Sequence, residues 1–237
     1  NENIIGQGLT NKAIRKAVKD KNVKAIVLRV NSPGGDALTS ELIWREIELA
    51  KKEKPVVVSM SNVAASGGYY ISANANKIFA EPTTITGSIG VFGTIPNISK
   101  LSENIGINAE QVSTNNSANY SVFEPMSQKF YDVTKEGVER VYTTFLDRVA
   151  KGRNMTIEEV DNIAQGRVWT AKQAIKNGLV DELGGLNDAI KFAAELAEVD
   201  NYRVRNYPNY NKDLKDAFKI SPFGKVNKEE ILKDALG

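Results

Sequence analysis

The sequence predicts an α/β fold in which short parallel strands alternate with helices. Two apolar, β-branched runs, Val23–Val30 and Val56–Ser61, have the length and composition of strands buried in a parallel sheet. Between them, apolar residues recur at helical spacing from Leu38 to Ala50. Strands that are separated by helices in this way indicate βαβ units with right-handed crossovers.

The remaining elements are predicted from the same two periodicities and from capping residues. Further strands are expected at Ile78–Glu81, at the glycine-interrupted run Gly87–Gly93 and at Ile107–Ser113. Further helices are expected from Thr10, over Ser66–Ala75, over Ser127–Lys151, after the capping-box pairs Thr156/Glu159 and Thr170/Gln173, and over Asn187–Glu198.

Length and composition indicate one ordinary globular domain with a tail. The chain has 237 residues, 41% of them hydrophobic and 25% charged. We expect the domain to cover residues 1–205. Residues 206–237, where apolar content thins, are expected to dock on a missing part or a neighbouring subunit.

The net charge of +2 does not favour a nucleic-acid partner. No apolar run approaches the roughly 20 residues of a membrane span, and the start at Asn1 predicts a piece of a longer protein.

Two missing residue types limit the chemistry. The sequence contains no cysteine, which excludes disulfides, thiol nucleophiles and thiolate metal sites. It also contains no histidine, so a Ser-His-Asp triad cannot be built from this chain. We therefore expect neither a metal nor a cofactor. An acyl-transfer reaction would need a lysine, a carboxylate or a group from elsewhere as its base.

The strongest single candidate for chemistry is Ser66, in the run Ala64-Ala65-Ser66-Gly67-Gly68-Tyr69-Tyr70. It lies just after a predicted buried strand and at the start of a predicted helix. Its small neighbours would let a substrate backbone approach, and the amide of Gly67 would be free to face an oxyanion. The alternative is a serine that caps the helix beside glycines that allow close packing.

A second glycine pair follows the first predicted strand, in Asn31-Ser32-Pro33-Gly34-Gly35-Asp36. Two glycines at this position can turn backbone N–H groups toward a ligand and so form the other arm of an oxyanion hole. The alternative is a strand-to-helix turn that requires positive φ. Asp36 is interpreted as a helix cap rather than a catalytic acid.

Taken together, five motifs in order resemble a known family. The order LRVNSPGGD, VAASGGYYIS, TGSIGVFG, GRVWTAKQA and GLVDELGG resembles the signal peptide peptidase A (protease IV) family of the Clp protease/crotonase superfamily, over about Lys24–Ala197. The resemblance implies a Clp/crotonase-like peptidase domain of stacked ββα units with a helical oligomerisation arm. It also implies a homo-oligomer.

The resemblance assigns a catalytic role to the serine and to the two glycine pairs. Ser66 matches the family's nucleophile. Gly67 and the pair Gly34 and Gly35 match the backbone donors of the family's oxyanion hole.

The third motif matches the part of the family's site that holds the lysine and the substrate. Ser88 matches a serine that hydrogen-bonds the catalytic lysine, although an ordinary strand hydroxyl is the alternative. Gly87, Ile89 and Gly90 belong to the strand that pairs with substrate in the family, which implies an extended peptide bound by strand addition.

The chain departs from the family at the catalytic lysine. Short members carry this lysine downstream of the nucleophile, but the matching stretch Asn115–Pro125 contains none, and Tyr120 stands at its place. Double-length members carry the lysine in an N-terminal repeat and the serine in a C-terminal one. This chain resembles that C-terminal repeat. Its own lysines in polar settings are predicted to be surface charges, namely Lys51, Lys52, Lys54 and Lys172.

The expected function is a serine endopeptidase half-enzyme with a Ser-Lys dyad, whose lysine comes from an N-terminal half or a neighbouring protomer. The resemblance implies leader-peptide remnants and membrane-proximal peptides as substrates. It also implies a place on the extracytoplasmic (periplasmic) side of a membrane, with an anchor outside this fragment. One alternative is an inactive peptide-binding or oligomerisation repeat. The other is a crotonase-type acyl-CoA enzyme, for which the Ser66 segment offers no suitable carboxylate.

Overall fold

The computed structural model describes residues 6–115 and 119–208. The chain forms two compact units, Asn1–Tyr202 and Arg203–Gly237, and every element described below belongs to the first. The predicted tail, residues 206–237, lies almost entirely outside the described residues, so its docking stays a prediction.

The described residues form six strands and eight helices. The strands are β1 (Ile26–Ser32), β2 (Val56–Ala65), β3 (Lys77–Ala80), β4 (Ile85–Gly87), β5 (Val168–Thr170) and β6 (Glu182–Leu183). The helices are α1 (Gln7–Lys19), α2 (Ala37–Lys51), α3 (Gly67–Ser72), α4 (Ser99–Asn104), α5 (Gln128–Arg153), α6 (Ile157–Ile163), α7 (Ala171–Lys176) and α8 (Leu186–Leu196).

Strand β2 is the centre of the sheet. It pairs in parallel with β1 and β3 along its first half and with β4 over Val63–Ala65. β6 extends the sheet in parallel from β3, and β5 pairs antiparallel with β4. The predicted α/β fold with parallel strands is therefore confirmed. The carboxyl end of β2 leads directly into Ser66, so a strand that pairs with three others among the described residues positions the candidate nucleophile.

Both faces of β2 are covered, which explains its nearly continuous apolar sequence. Val58 and Met60 belong to the main core, in which residues of α2, α3 and α5 also lie. Val57, on the opposite face, packs with Phe79 and with Ala189 and Ala193 of α8. Because successive side chains of a strand point to opposite faces, a strand covered on both sides needs apolar residues at every position.

Two predicted strands differ from the observed structure. The run Gly87–Gly93 is a strand only as far as Gly87, because Gly87 and Ser88 have φ values of 79° and 49°, which bend the chain out of extended geometry. Residues 107–113 are exposed and form no strand, and none of the described strands pairs with them. A strand without a partner leaves its backbone N–H and C=O groups bonded to water. The β-propensity of this segment alone is therefore not enough to form a strand.

The long helix α5 has two different halves. Its C-terminal half contributes Phe145, Leu146, Val149 and Ala150 to the core. Its N-terminal half is largely exposed, with Tyr131 and Val133 each more than half accessible. This is the helical arm that the resemblance implies, and its role in oligomerisation stays a prediction. None of the described helices is both long and apolar enough to cross a membrane.

Two glycines of α5 test how tightly this helix packs. A Cβ built on Gly152 would lie 2.7 Å from the carbonyl carbon of Ala73, whereas one on Gly137 would meet nothing within 4 Å. We expect Gly152→Ala to lower the free energy of unfolding by about 1–3 kcal/mol through overpacking. Gly137→Ala should raise it by about 1 kcal/mol through helix propensity.

Denaturant unfolding followed by circular dichroism measures both changes. Equal effects of the two substitutions would show that α5 does not press on Ala73.

Candidate active site

Ser66 occupies a strained turn between β2 and α3. Its φ is 51° and its ψ is −120°, a region that glycine adopts far more readily than serine. Two backbone hydrogen bonds hold the turn: the Ser66 amide donates to the Gly87 carbonyl at 2.9 Å, and the Ser66 carbonyl accepts from the Tyr70 amide at 2.8 Å. The turn lifts the serine out of the strand and presents it at the end of the sheet.

The Ser66 hydroxyl is not used by the fold. It makes no capping hydrogen bond to α3, although Ser66 is the residue before that helix. The interpretation of Ser66 as a side-chain helix cap is therefore wrong. Across residues 6–115 and 119–208, the hydroxyl has no hydrogen-bond partner. A serine held in a costly conformation with its hydroxyl uncommitted indicates a functional constraint rather than a structural one.

The loop that contains Gly34 and Gly35 lies directly against this turn. A Cβ on Gly34 would stand 2.6 Å from the Ser66 Cβ and 2.8 Å from the Gly67 amide nitrogen, and φ at Gly34 is 107°. Only glycine satisfies both the positive φ and the close approach. A Cβ on Gly67 would in turn lie 3.3 Å from the Gly35 nitrogen, so the two glycine loops touch at their backbones.

The two loops differ in which amides are available. The Gly34 amide donates to the Ser32 hydroxyl at 3.2 Å. Within the described part of the chain, the amides of Gly35 and Gly67 donate to no acceptor. Two unpaired N–H groups on adjacent loops beside a free hydroxyl can receive a developing negative charge. Of the three glycines predicted to form the oxyanion hole, Gly35 and Gly67 have amides that are unpaired within the described residues, whereas the Gly34 amide is already paired.

Ser88 directly follows Gly87, whose carbonyl accepts the hydrogen bond from the Ser66 amide. Its φ of 49° places it in a second strained position, and its amide donates to the Arg167 carbonyl at 2.7 Å. Its side chain is partly exposed. The chain therefore brings two serines, each in an unfavourable backbone conformation, to neighbouring positions. The predicted role of Ser88 in orienting a lysine stays a prediction.

The residues predicted to contact substrate are partly enclosed by the fold. Ile89 is fully buried in the core, and its carbonyl accepts from the Gly166 amide at 2.9 Å. Gly87 is also buried, and a Cβ there would meet Trp169 at 2.6 Å. A Cβ on Gly90 would lie 2.9 Å from Gly166. Any contact of these residues with a peptide would have to come from the backbone, on the edge that faces away from Gly166.

None of the described side chains that could act as a base hydrogen-bonds the Ser66 hydroxyl. Tyr120, at the place of the family's lysine, donates its hydroxyl hydrogen to the Pro96 carbonyl and stacks on Phe130 with ring centroids 5.2 Å apart. Burial lowers the pKa of Lys54, as a general base would require, but its ammonium donates to the Ala17 and Asp20 carbonyls at the end of α1. Lys54 therefore caps a helix.

The other predicted surface lysines are either bonded to backbone or exposed to solvent. Lys51 donates to the Asn74 carbonyl, while Lys52 and Lys172 are exposed.

Asp36 is confirmed as the cap of α2: it accepts from the Thr39 amide at 2.7 Å, and this hydrogen bond lowers the pKa of Asp36. Among the described residues, no group of carboxylates could hold a metal ion.

Two features of the site could not be found in the sequence pattern. The Ser32 hydroxyl selects which amide of the Gly34-Gly35 pair remains free, and only a serine two residues before a turn hints at this role. Glu41 and Arg148 form an ion pair, and the same carboxylate is bonded to Tyr70 of α3, although 107 positions separate Glu41 from Arg148. Nothing in a single sequence connects two such distant charges.

The fold and the site together define an α/β protein of the Clp/crotonase class that presents a serine at the end of its central parallel strand. Comparison with known proteins gives the family. Residues 48–200, more than half of the chain, match peptidase family S49. The chain belongs to this family of serine peptidases.

Three relatives show the extent of the similarity. The chain is 46% identical over 227 residues to Protease 4 of Haemophilus influenzae and 46% identical over 204 residues to Protease 4 of Salmonella typhi. It is 43% identical over 198 residues to the chloroplastic serine protease SPPA of Arabidopsis thaliana. The alignments cover 93%, 86% and 83% of this chain but only 37%, 33% and 29% of those proteins. The chain thus spans about a third of the length of these relatives.

The strain at Ser66 can be measured directly. Replacing Ser66 with alanine keeps the unfavourable backbone, whereas glycine relieves it. We expect Ser66→Gly to be more stable than Ser66→Ala by about 1 kcal/mol, because the relief of about 1–3 kcal/mol exceeds the entropy cost of glycine. Thermal or denaturant unfolding of the two variants makes the comparison. A Ser66→Gly variant less stable than Ser66→Ala would mean that the turn is not strained.

Proposed function

We propose that this chain is the nucleophile-bearing part of a serine endopeptidase that works with a lysine from outside the chain. One observation carries the proposal: Ser66 is held in a strained turn with its hydroxyl free, beside the unpaired amides of Gly35 and Gly67. The relatives named as proteases support the same reaction type.

In the first step, the Ser66 oxygen attacks the peptide carbonyl while its proton passes to a neutral lysine amine. The carbonyl oxygen becomes an oxyanion, which the Gly35 and Gly67 amides stabilise by hydrogen bonds. The intermediate then collapses to an ester on Ser66, and the lysine ammonium gives its proton to the leaving amine. A water molecule, deprotonated by the same lysine, hydrolyses the ester and restores the serine.

Three observations support a lysine from elsewhere. None of the described residues hydrogen-bonds the Ser66 hydroxyl, and the stretch 115–125 contains no lysine. The chain also corresponds to about a third of its longer relatives. A lysine acts as a base near neutral pH only when burial lowers its pKa, and an interface with another half or protomer would provide that burial. Ser88 would orient the amine.

The proposed substrate is an extended peptide laid along the segment after Ser88. Within the described residues, the amides of positions 90–93 donate to no backbone acceptor, so this segment can accept a strand. Phe92 in this segment is 88% exposed. We propose leader-peptide remnants and membrane-proximal peptides as the substrate class, with cleavage on the extracytoplasmic side of a membrane. The anchor would lie outside residues 1–237.

A second candidate is a peptide-binding or oligomerisation repeat without chemistry. The missing base in the described part of the chain is the observation that favours it. Membership of a peptidase family favours the enzyme over this candidate, and also over an acyl-CoA enzyme of the crotonase type.

A fluorophosphonate probe separates the two candidates. We expect the isolated chain to be labelled at Ser66 very slowly and labelling to become rapid when the lysine-bearing half is added, because only then is the hydroxyl deprotonated. Mass spectrometry of the labelled peptide identifies the serine. Rapid labelling of the isolated chain would place the base within these 237 residues. Absence of labelling with both halves present would support the binding repeat.

Cleavage by the complete protein provides an independent test. Ser66→Ala should lower kcat for a fluorogenic peptide on the order of 10⁴-fold or more, since no other nucleophile is offered. Ser61→Ala is the matched control, because Ser61 lies on the same strand but its hydroxyl accepts a hydrogen bond from Arg29. Retained cleavage in Ser66→Ala would refute the assignment of the nucleophile.

A further inference from the structure

One carboxylate, that of Glu41, joins three helices. Arg148 of α5 donates to both oxygens of Glu41 on α2, with Nη2–Oε1 at 2.7 Å and Nε–Oε2 at 3.2 Å. Tyr70 of α3 donates its hydroxyl hydrogen to the same carboxylate. A bidentate hydrogen bond from an arginine, with a further hydrogen bond from a phenol, fixes both the orientation of the carboxylate and its distance from its partners.

Aromatic packing holds this cluster in place. The Arg148 guanidinium lies over the Trp44 ring at 4.1 Å, and the Tyr70 ring packs on Phe145 with centroids 4.6 Å apart. The side chains of Arg148 and Glu41 are only 23% and 32% exposed. Burial alone would raise the pKa of Glu41, but the hydrogen bonds from Arg148 and Tyr70 outweigh it and lower that pKa, so the carboxylate stays charged. The cluster is therefore rigid and ionised at neutral pH.

Two of the three helices that meet at Glu41 begin at or close to the two free amides. Glu41 lies in the second turn of α2, and Tyr70 lies in the first turn of α3. Because a helix is stiff over one or two turns, the link between Glu41 and Tyr70 constrains how the start of α2 approaches the start of α3. Gly67 is the first residue of α3, and Gly35 lies two residues before Ala37, the first residue of α2.

We propose that Glu41, held by Arg148 and bonded to Tyr70, is a positioning residue that sets the spacing of the two oxyanion-binding amides. The inference rests on the proposed function, since it concerns the same site. It adds a specific role for three residues that contact neither the peptide nor the reacting atoms. The spacing matters because donors aimed at an oxyanion lose effect when they are displaced by a fraction of an ångström.

The test compares Glu41→Gln and Tyr70→Phe with the unmodified complete protein. We expect kcat for a fluorogenic peptide to fall roughly ten- to hundredfold, with KM changed by less than about threefold, because the donors act on the transition state more than on bound substrate. Affinity for a peptide aldehyde, whose adduct with Ser66 carries an oxyanion, should fall by a similar factor. A residue with only a structural role would lower the melting temperature without this split between kcat and KM.

Glu46→Gln provides the matched control. Glu46 lies on the same helix and also pairs with an arginine, but that partner is Arg15 of α1, at 2.7 Å. We expect Glu46→Gln to leave kcat and aldehyde affinity within about twofold of the unmodified protein, since α1 carries no donor. If Glu41→Gln does not fold, Tyr70→Phe decides the question, because it removes one hydroxyl and keeps the ring packing.

The outcomes separate this inference from the proposed function. If Glu41→Gln and Tyr70→Phe fold and keep kcat and aldehyde affinity, the positioning role is refuted. The positioning role is also refuted if the two variants lose activity only through a higher KM, with kcat unchanged. In both cases Ser66→Ala would still abolish cleavage. If Ser66→Ala also keeps cleavage, the proposed function fails, and the inference fails with it.

Discussion

The backbone of Ser66, with φ of 51° and ψ of −120°, costs a residue other than glycine about 1–3 kcal/mol, and its neighbours are arranged to hold it there. Strand β2 brings the chain to this point between three parallel partners. The Gly87 carbonyl fixes the serine's amide, and α3 begins at the next residue. Gly34 must be glycine because its backbone nearly touches the Ser66 Cβ. The sheet, the turn and the glycine loop therefore depend on one another.

This arrangement explains how the site divides its tasks. In the proposed reaction, β2 and the two glycine loops supply a hydroxyl and two unpaired amides that are in place before any substrate arrives. None of the described side chains hydrogen-bonds that hydroxyl, and Tyr120, which the resemblance aligns with the family's lysine, contacts Pro96 and Phe130 instead. In this proposal the reaction therefore begins only when a second part brings the base.

Sequence patterns predicted the parts of this fold that depend on local periodicity. The run Val56–Met60 is apolar at four of five positions because β2 is covered on both faces, and it was recognisable for that reason. The capping box of Thr156 and Glu159 likewise marks the start of α6. The glycine motifs around Ser66 placed the candidate site because close backbone approach admits only small residues.

Other features depended on backbone geometry or distant contacts and could not be predicted. The expected strand after Gly87 ends there because Ser88, an ordinary serine by type, adopts positive φ. The choice of Gly35 over Gly34 as a free donor depends on one hydroxyl, that of Ser32. The pairing of Glu41 with Arg148 joins residues 107 positions apart. Each of these follows from tertiary packing, which a single sequence does not display.

The decisive measurement is a crystal structure of the complete protein with a peptide aldehyde bound to Ser66. We expect the oxygen of the adduct to accept hydrogen bonds from the Gly35 and Gly67 amides. We also expect a lysine ammonium from outside this chain to lie within hydrogen-bond distance of the Ser66 oxygen. A lysine of this chain at that position, or an adduct oxygen directed away from both glycines, would contradict the proposed mechanism.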